Sequence, residues 1–527
     1  MIDTHRTYTL TSEQLSLQQK VGQLFMPAVF INDTEEEVQK MEKLIKDHHV
    51  GSICFFHSRA SAATNFEGKK KVVHNEKSYD RLLELINRYQ KAAQIPLIIA
   101  IDAEWGLAMR IENTPQFPYA ITLGALNNNN ELIYKVGEAI GKDCKHAGIQ
   151  WNLAPVVDIN NNPENPVIGY RSFGDDRDSV LSKAEAFLKG MSESGTLNSI
   201  KHFPGHGDTA TDSHLGLPVI DKPLDDLLKN ELYPFKKLID KGVDSVMVGH
   251  LLLPQIDPDH PSTTSSKIIS ELLRKELGFN GVVISDALNM HAVSKKFVEK
   301  GALEAAAFSA GMDVLCFTEN VAEGIARIIN NSTIKQIEQS FERVWALKQK
   351  VFAPNTAVQA SNGDTVQLNK EIAQNTITEL YGNPLLAEEI KSSNFLNVSI
   401  SSGKRNHFAE QIAVHSGIQA IDLDTALASD KKNALLSIFP PAVKPKDFFG
   451  FDKKTLALIH RLIQEKNILI YLFGNPYVLD ILQLAANSNV ALIYQDFPEF
   501  QEVAVEHFLG KIEAKGSLPI QLKTFQL

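Results

Sequence analysis

The stretch Lys201-His202-Phe203-Pro204-Gly205-His206-Gly207-Asp208-Thr209-Ala210-Thr211-Asp212-Ser213-His214 reads as a strand end running into a loop. Pro204, Gly205 and Gly207 bar a regular helix there, and a short, partly apolar run at 197–200 precedes it. Five of its residues, Lys201, His202, His206, Asp212 and His214, can transfer protons or bind a charged or hydroxylated ligand. Polar chemistry on a glycine-bearing loop after a strand is where enzymes place catalysis. The same unit recurs on both sides. Apolar runs at 24–30, 51–56, 96–102, 150–159, 199–203, 244–250, 281–286 and 313–317 alternate with amphipathic segments at 34–46, 80–93, 131–147, 178–194, 223–241, 267–276 and 301–311. Near-continuous apolar strands alternating with helices predict a parallel sheet covered on both faces. Eight such units predict a closed (β/α)8 TIM-type barrel over residues 1–350. Asp102, Asp158, His202, His250 and Asp286 each end a run, and a barrel would gather them on one rim.

Past residue 350 the pattern changes. Residues 352–368 are small, polar and turn-forming, so 351–369 reads as a linker. A second series follows, with candidate strands at 395–401, 420–423, 434–439, 468–473 and 491–495, and predicts a smaller αβα sandwich over 370–527. The fold class is α/β throughout. The 527 residues carry a net charge of -10, which argues against nucleic acid or an anionic membrane as the main partner. No run is long enough to span a membrane. The first ten residues lack the apolar core of a signal peptide, and either a cytoplasmic or an exported location fits the sequence. A monomer is the default expectation. Cys54, Cys144 and Cys316 are too few and too scattered for a disulfide framework or a zinc site; Cys54 and Cys316 read as buried free thiols.

Asp286 follows Val282-Val283-Ile284-Ser285, and a carboxylate at a strand tip suits a nucleophile or general base as well as a helix cap. Asp212 and His214 stand two apart, a spacing that lets a carboxylate fix an imidazole tautomer and raise its basicity. Lys201 and His202 are adjacent at a strand end. Arg171 lies on a loop after the fourth run, framed by Tyr170 and Phe173. His206, Asp208, Asp212 and His214 fit no zinc-motif spacing, so no metal and no cofactor are expected.

These motifs together resemble glycoside hydrolase family 3, in its β-N-acetylglucosaminidase branch. The supporting segments occur in order: the opening Leu15–Gln23 run, Ile101-Asp102-Ala103-Glu104, Asn152-Leu153-Ala154-Pro155-Val156-Val157-Asp158, Arg171-Ser172-Phe173-Gly174, Lys201–His214 and Ser285-Asp286-Ala287-Leu288. In the second part, 370–380 resembles the family's opening helix and 510–522 its closing segment. The resemblance implies that Asp286 is the nucleophile of a retaining mechanism and that His214, paired with Asp212, is the acid/base. It implies that Asp102, Arg171, Lys201 and His202 bind the sugar in the −1 subsite, with Trp105, His250 and Arg110 as further candidates. The implied substrate is a carbohydrate with a terminal β-1,4-linked N-acetylglucosamine, such as a peptidoglycan fragment. One departure stands out. Where many members continue Glu-Gly-Gly-Arg, this chain has Glu104-Trp105-Gly106-Leu107, and Trp105 offers a sugar-stacking face. A phosphorylase of the same fold, a non-catalytic sugar-binding protein and a metal-dependent hydrolase are the alternatives.

Overall fold

The computed structural model describes residues 12–57, 74–209, 216–352, 364–484 and 488–523. The chain divides into two compact units. The first takes residues 1–117, 133–159 and 180–363; the second takes 118–132, 160–179 and 364–527.

In the first unit, helices follow strands as the apolar periodicity predicts. The first long helix, Glu35–His48, begins at a capping box. Thr34 accepts from the Glu37 N–H, and the Glu37 side chain accepts from the Thr34 N–H. The segment expected as one helix over 223–241 is two, Leu224–Lys229 and Tyr233–Lys241. Pro234, in the first turn of the second, has no N–H to continue the preceding helix.

The strands are parallel, but their regular pairing falls into three sheets rather than one continuous ring. Ala28–Phe30, Ser52–Phe56, Ile98–Ile101 and Trp151–Asn152 form one sheet. Ile200–Phe203, Ser245–Val248 and Val282–Ser285 form another, and Phe25–Met26 pairs with Leu315–Cys316. Isolated bridges, Trp151 to Leu197, Val156 to Lys201 and Ile284 to Val314, lie between the sheets. The interruptions have local causes. Pro27 and Pro155 lack the N–H that a ladder needs. At Val283 the backbone N–H donates to the Asp313 carboxylate at 2.9 Å instead of to a strand carbonyl.

Asp313 is fully buried and is gripped by two arginines. Arg274 reaches Oδ2, and Arg343 reaches Oδ1 through Nη2 at 2.7 Å and Nε at 3.0 Å. Truncation would leave Arg274 and Arg343 facing a void and free the Val283 N–H. Asp313→Ala is therefore expected to lower unfolding stability by about 3–5 kcal/mol, the cost of breaking a buried ion pair from one side, as read by urea denaturation; a loss under about 1 kcal/mol would contradict this.

The second unit is built on a six-stranded mixed sheet. Its strand order is Thr378–Tyr381, Asn489–Leu492, Asn467–Leu472, Asn433–Ile438, Leu396–Ile400, Ala420–Ile421. All neighbours are parallel except the first pair. Every residue of Asn433–Ile438 is buried, as a strand covered on both faces requires. The opening helix runs Thr365–Thr376, capped by the Asp364 side chain, and takes in residues that read as linker. The 370–380 segment expected as helix ends instead in the antiparallel edge strand Thr378–Tyr381. Its alternation of buried Thr378, exposed Glu379 and buried Leu380 is the period-two pattern of an edge strand. Residues 118–132 and 160–179, which interrupt the first unit in sequence, pack within the second. Gln495 donates to Thr122 at 2.7 Å, and Asn160 donates to the Tyr477 hydroxyl at 2.7 Å.

Candidate active site

The strand ends of the first unit carry two linked polar groups. Lys201, only 1% exposed, sends its ammonium to Asp102 Oδ1 at 2.8 Å and to Glu104 Oε1 at 2.8 Å. Arg110 donates to the other Asp102 oxygen at 2.9 Å, and its guanidinium lies 4.9 Å from the centre of the Phe56 ring. Burial pushes the Asp102 carboxyl up, but the charges of Lys201 and Arg110 outweigh it and hold the group below its ordinary value. Asp102 is thus an anion fixed from both sides, with part of its surface still open.

The second group centres on Asp158. Its Oδ2 meets His202 Nδ1 at 2.7 Å, the His202 N–H donates to both carboxylate oxygens, and the His206 N–H donates to Oδ1 at 2.7 Å. Burial pushes this carboxyl up, and the His202 imidazole and the donated hydrogen bonds bring it below the ordinary value. His206 stands edge-on to His202 with ring centres 5.9 Å apart. Burial, helped by His202, lowers His206 to about 4, so it is neutral at pH 7, with Nδ1 2.7 Å from the Thr209 hydroxyl. Asp158 thereby orients the His202 imidazole and holds the His206 backbone, while the Thr209 hydroxyl engages the His206 ring.

Asp286 follows the strand Val282–Ser285. Its N–H donates to Val248 O at 2.9 Å, and its Oδ1 accepts from the Ala287 N–H at 2.7 Å. His250 is fully buried and holds the next carbonyl, with Nε2 2.9 Å from Ala287 O and Nδ1 2.5 Å from the Thr263 hydroxyl. His250 is a brace for the Asp286 turn. The buried Cys316 thiol is raised first by its hydrogen bond with Cys54, then by burial, with smaller contributions from the negative charges of Asp102 and Asp286. Asp286 is also felt by His206. Trp105 is half-buried, and its carbonyl accepts from the Phe117 N–H at 3.0 Å. The glycine after it is obligatory. Gly106 has φ of 100°, and Pro115 O lies 2.7 Å from where a Cβ would stand.

The structure thus joins Asp102, Lys201 and Arg110 in one group, sets His202 in a second with Asp158, and ties His250 to the Asp286 turn, all within the first unit. Arg171 belongs to the second unit, where its Nη1 donates to Val167 O at 3.2 Å. Asp212 and His214 fall in 210–215, outside the described residues. Glu104, Asp158 and His206 complete the two groups; His206 is among the proton-transfer candidates of the sequence, whereas Glu104 and Asp158 are not singled out there as site residues. Asp158 was visible there only as a strand end, and Glu104 only as a neighbour of Asp102. Among the described residues, no group of three or more His, Cys, Asp or Glu side chains could hold a metal ion, and no helix is long and apolar enough to cross a membrane.

Charged and imidazole side chains fixed at successive strand ends of a parallel α/β unit mark the site of an enzyme that handles a polar substrate. Comparison with known proteins makes the class specific. The profile of the glycosyl hydrolase family 3 N terminal domain matches residues 16–347. The chain belongs to glycosyl hydrolase family 3. It is 33% identical over 352 residues to β-hexosaminidase A of Pseudoalteromonas piscicida, covering 59% of each chain. It is 33% identical over 274 residues to a β-hexosaminidase of Glaesserella parasuis, covering 51% of this chain and 78% of that one. A solved family 3 β-N-acetylglucosaminidase from a Paenibacillus species superposes with a TM-score of 0.76 at 27% identity, covering 97% of this chain and all of that one.

Proposed function

We propose that the protein is a retaining, exo-acting β-N-acetylglucosaminidase, with a closed (β/α)8 barrel over residues 1–350 followed by an αβα sandwich. The observation that carries this is the Asp102 carboxylate, held ionised by Lys201 and Arg110, in the same unit as Asp286 at the end of its own strand. A fixed anion with open surface accepts hydrogen bonds from sugar hydroxyls, and in this reading the Asp286 carboxylate, at another strand end, serves the anomeric carbon. The relatives named β-hexosaminidase and the solved β-N-acetylglucosaminidase support the choice of sugar.

In this reading the Asp286 carboxylate attacks the anomeric carbon as the bond to the leaving oxygen breaks. His214, oriented by Asp212, gives that oxygen its proton. Water then attacks the glycosyl-enzyme, His214 takes the water's proton, and Asp286 leaves. A neutral imidazole in this role avoids a second fixed carboxylate beside the nucleophile. Asp102, Lys201 and His202 hold the sugar; Arg171 enters on the resemblance alone. The substrate class is a peptidoglycan fragment ending in β-1,4-linked N-acetylglucosamine.

The test is nitrophenol release from 4-nitrophenyl β-N-acetylglucosaminide and from the β-glucoside, with and without phosphate. The expected result is a preference of at least about tenfold in kcat/KM for the N-acetyl sugar, equivalent to about 1.4 kcal/mol, with no dependence on phosphate. Phosphate-dependent release with formation of sugar 1-phosphate would replace hydrolysis by phosphorolysis, and inertness on both sugars would remove the activity.

A further inference from the structure

The turn after Asp286 and the end of the strand Leu315–Cys316 are fastened together, the Leu288 N–H donating to Cys316 O at 3.0 Å. Between them and the helix Ala302–Ala310 lies a cavity of about 130 Å³. An engineered cavity of roughly 150 Å³ holds benzene, so the space suits one small group. Phe297 and Phe317 form apolar walls. Phe317 is braced by Phe30 and Phe56, with ring centres 5.9 and 5.1 Å away, so this wall is in place before a ligand arrives. The polar lining is Asn289, Ser294 and Asn320 with Glu299, Glu304 and Glu319, and among the described residues no lysine or arginine lines the space. Glu304 decides what the cavity can hold. It is 3% exposed, and its Oε1 accepts from the Thr318 hydroxyl at 2.9 Å and from the Asn320 N–H at 3.2 Å, at the head of the helix Val321–Asn331. Helix capping accounts for that oxygen alone. Oε2 has no hydrogen-bond partner among the described residues and is left to the cavity that Glu304 lines. A charged oxygen withdrawn from bulk water is costly unless a donor or cation meets it. Glu299 is answered by Arg327 at 2.8 Å, and the helix end brings only about half a positive charge, so Glu304 remains in excess.

We propose that this cavity binds a primary ammonium group, with Glu304 Oε2 as its counter-ion and the side-chain amide oxygens of Asn289 and Asn320 as its other acceptors. An ammonium carries three donors and no acceptor. Neither amide side chain has a hydrogen-bond partner among the described residues, so both oxygens are available. A metal ion is poorly served: among the described residues no three His, Cys, Asp or Glu side chains converge to hold one. Leu288 and Asn289 follow directly on Asp286-Ala287, so the ammonium sits beside the strand end that carries the proposed nucleophile. It belongs either to the leaving group of the glycoside or to a free amine. The site stands without the glycosidase reading, and only its use for a leaving group rests on that reading.

The probes are butylammonium and its neutral counterpart 1-butanol, titrated by ligand-observed NMR against the wild type, Glu304→Gln and Asn289→Leu. Asn289→Leu fills the space from a half-buried side chain, and carries the test if Glu304→Gln, which weakens the bonds to Thr318 and Asn320, does not fold. The wild type is expected to bind butylammonium saturably, with a millimolar Kd as so small a ligand permits. It should bind butanol at least about tenfold more weakly, and each variant should lose at least about tenfold for butylammonium, the step expected when a hydrogen bond to a buried charge is lost. No saturable binding, butylammonium no tighter than butanol, or unchanged binding in a folded variant would overturn the site. Rates on 4-(aminomethyl)phenyl and 4-(hydroxymethyl)phenyl β-N-acetylglucosaminides tell the two sources apart. A leaving-group site gives the amine substrate a kcat/KM advantage of about tenfold that disappears in Glu304→Gln and is competed away by butylammonium. A site for a free amine leaves the ratio of the two substrates unchanged by Glu304→Gln while butylammonium still binds. Inertness on both substrates would remove the glycosidase reading and leave the binding result standing.

Discussion

Asp286→Ala is expected to lower kcat/KM on 4-nitrophenyl β-N-acetylglucosaminide by about 10⁴-fold or more, the scale of removing a covalent nucleophile, with the fold intact. The structure separates chemistry from scaffolding at this position. The backbone of the turn is held without the carboxylate, by the Asp286 N–H on Val248 O and by His250 on Ala287 O. A local bond of the side chain is to the Ala287 N–H at 2.7 Å. Its loss should cost about 1 kcal/mol of stability, the usual net value of such a bond. Azide makes the result diagnostic. In the shortened pocket azide can attack the anomeric carbon directly, and a single displacement gives the α-glycosyl azide. In His214→Ala, Asp286 still forms the glycosyl-enzyme, and azide then gives the β-glycosyl azide. Retention of activity within about tenfold, or a β-azide from Asp286→Ala, would remove Asp286 from the nucleophile role.

Much of the first unit was legible because its signals are local. Apolar runs ended by Asp or His, with amphipathic segments between them, sufficed to place Ile98–Ile101, Ser245–Val248 and Val282–Ser285 and the residues that follow them. What the runs concealed was pairing. A proline inside an apolar run, as at Pro27, reads as one strand and pairs as two. The edge strand Thr378–Tyr381 was lost for the opposite reason: it follows a helix after a single residue, with no turn residue to mark the change of period. The site divided along the same line. Asp102, Lys201 and Asp286 carry chemistry that their position at a strand end announces. Asp158 and Glu104 act through partners distant in sequence, Asp158 on His202 and His206, Glu104 on Lys201. His250, a further candidate from the resemblance, has the Thr263 hydroxyl and Ala287 O at its two ring nitrogens, which ties it to the Asp286 turn.

Lys201→Met is expected to destabilise the protein by about 3–5 kcal/mol at pH 7, the cost of stripping one partner from a buried ion pair, and to lower kcat/KM by about 100-fold through the displaced Asp102. Lys201 is buried between Asp102 and Glu104 at 2.8 Å from each, so methionine fills much of its volume and removes its charge from both. The pH dependence identifies the cause. In the wild type, burial raises the Asp102 carboxyl, but Lys201 and Arg110 together hold it below 3.8. Its stabilising contribution is then present above the unfolded value and is lost as pH falls through the lower folded one. In Lys201→Met burial meets Arg110 alone, and the carboxyl moves upward. Once it passes the unfolded value the sign reverses: the folded state binds the proton more tightly, and stability falls as pH rises through that interval. The gap between variant and wild type should therefore narrow as pH is lowered from 7 towards 4, as read by urea denaturation at each pH. Lys201→Arg should recover little, because a planar guanidinium does not occupy the point between two carboxylates that an ammonium fills. A gap that stays constant with pH would trace the loss to packing rather than to charge, and Asp102 would then owe its ionisation to Arg110.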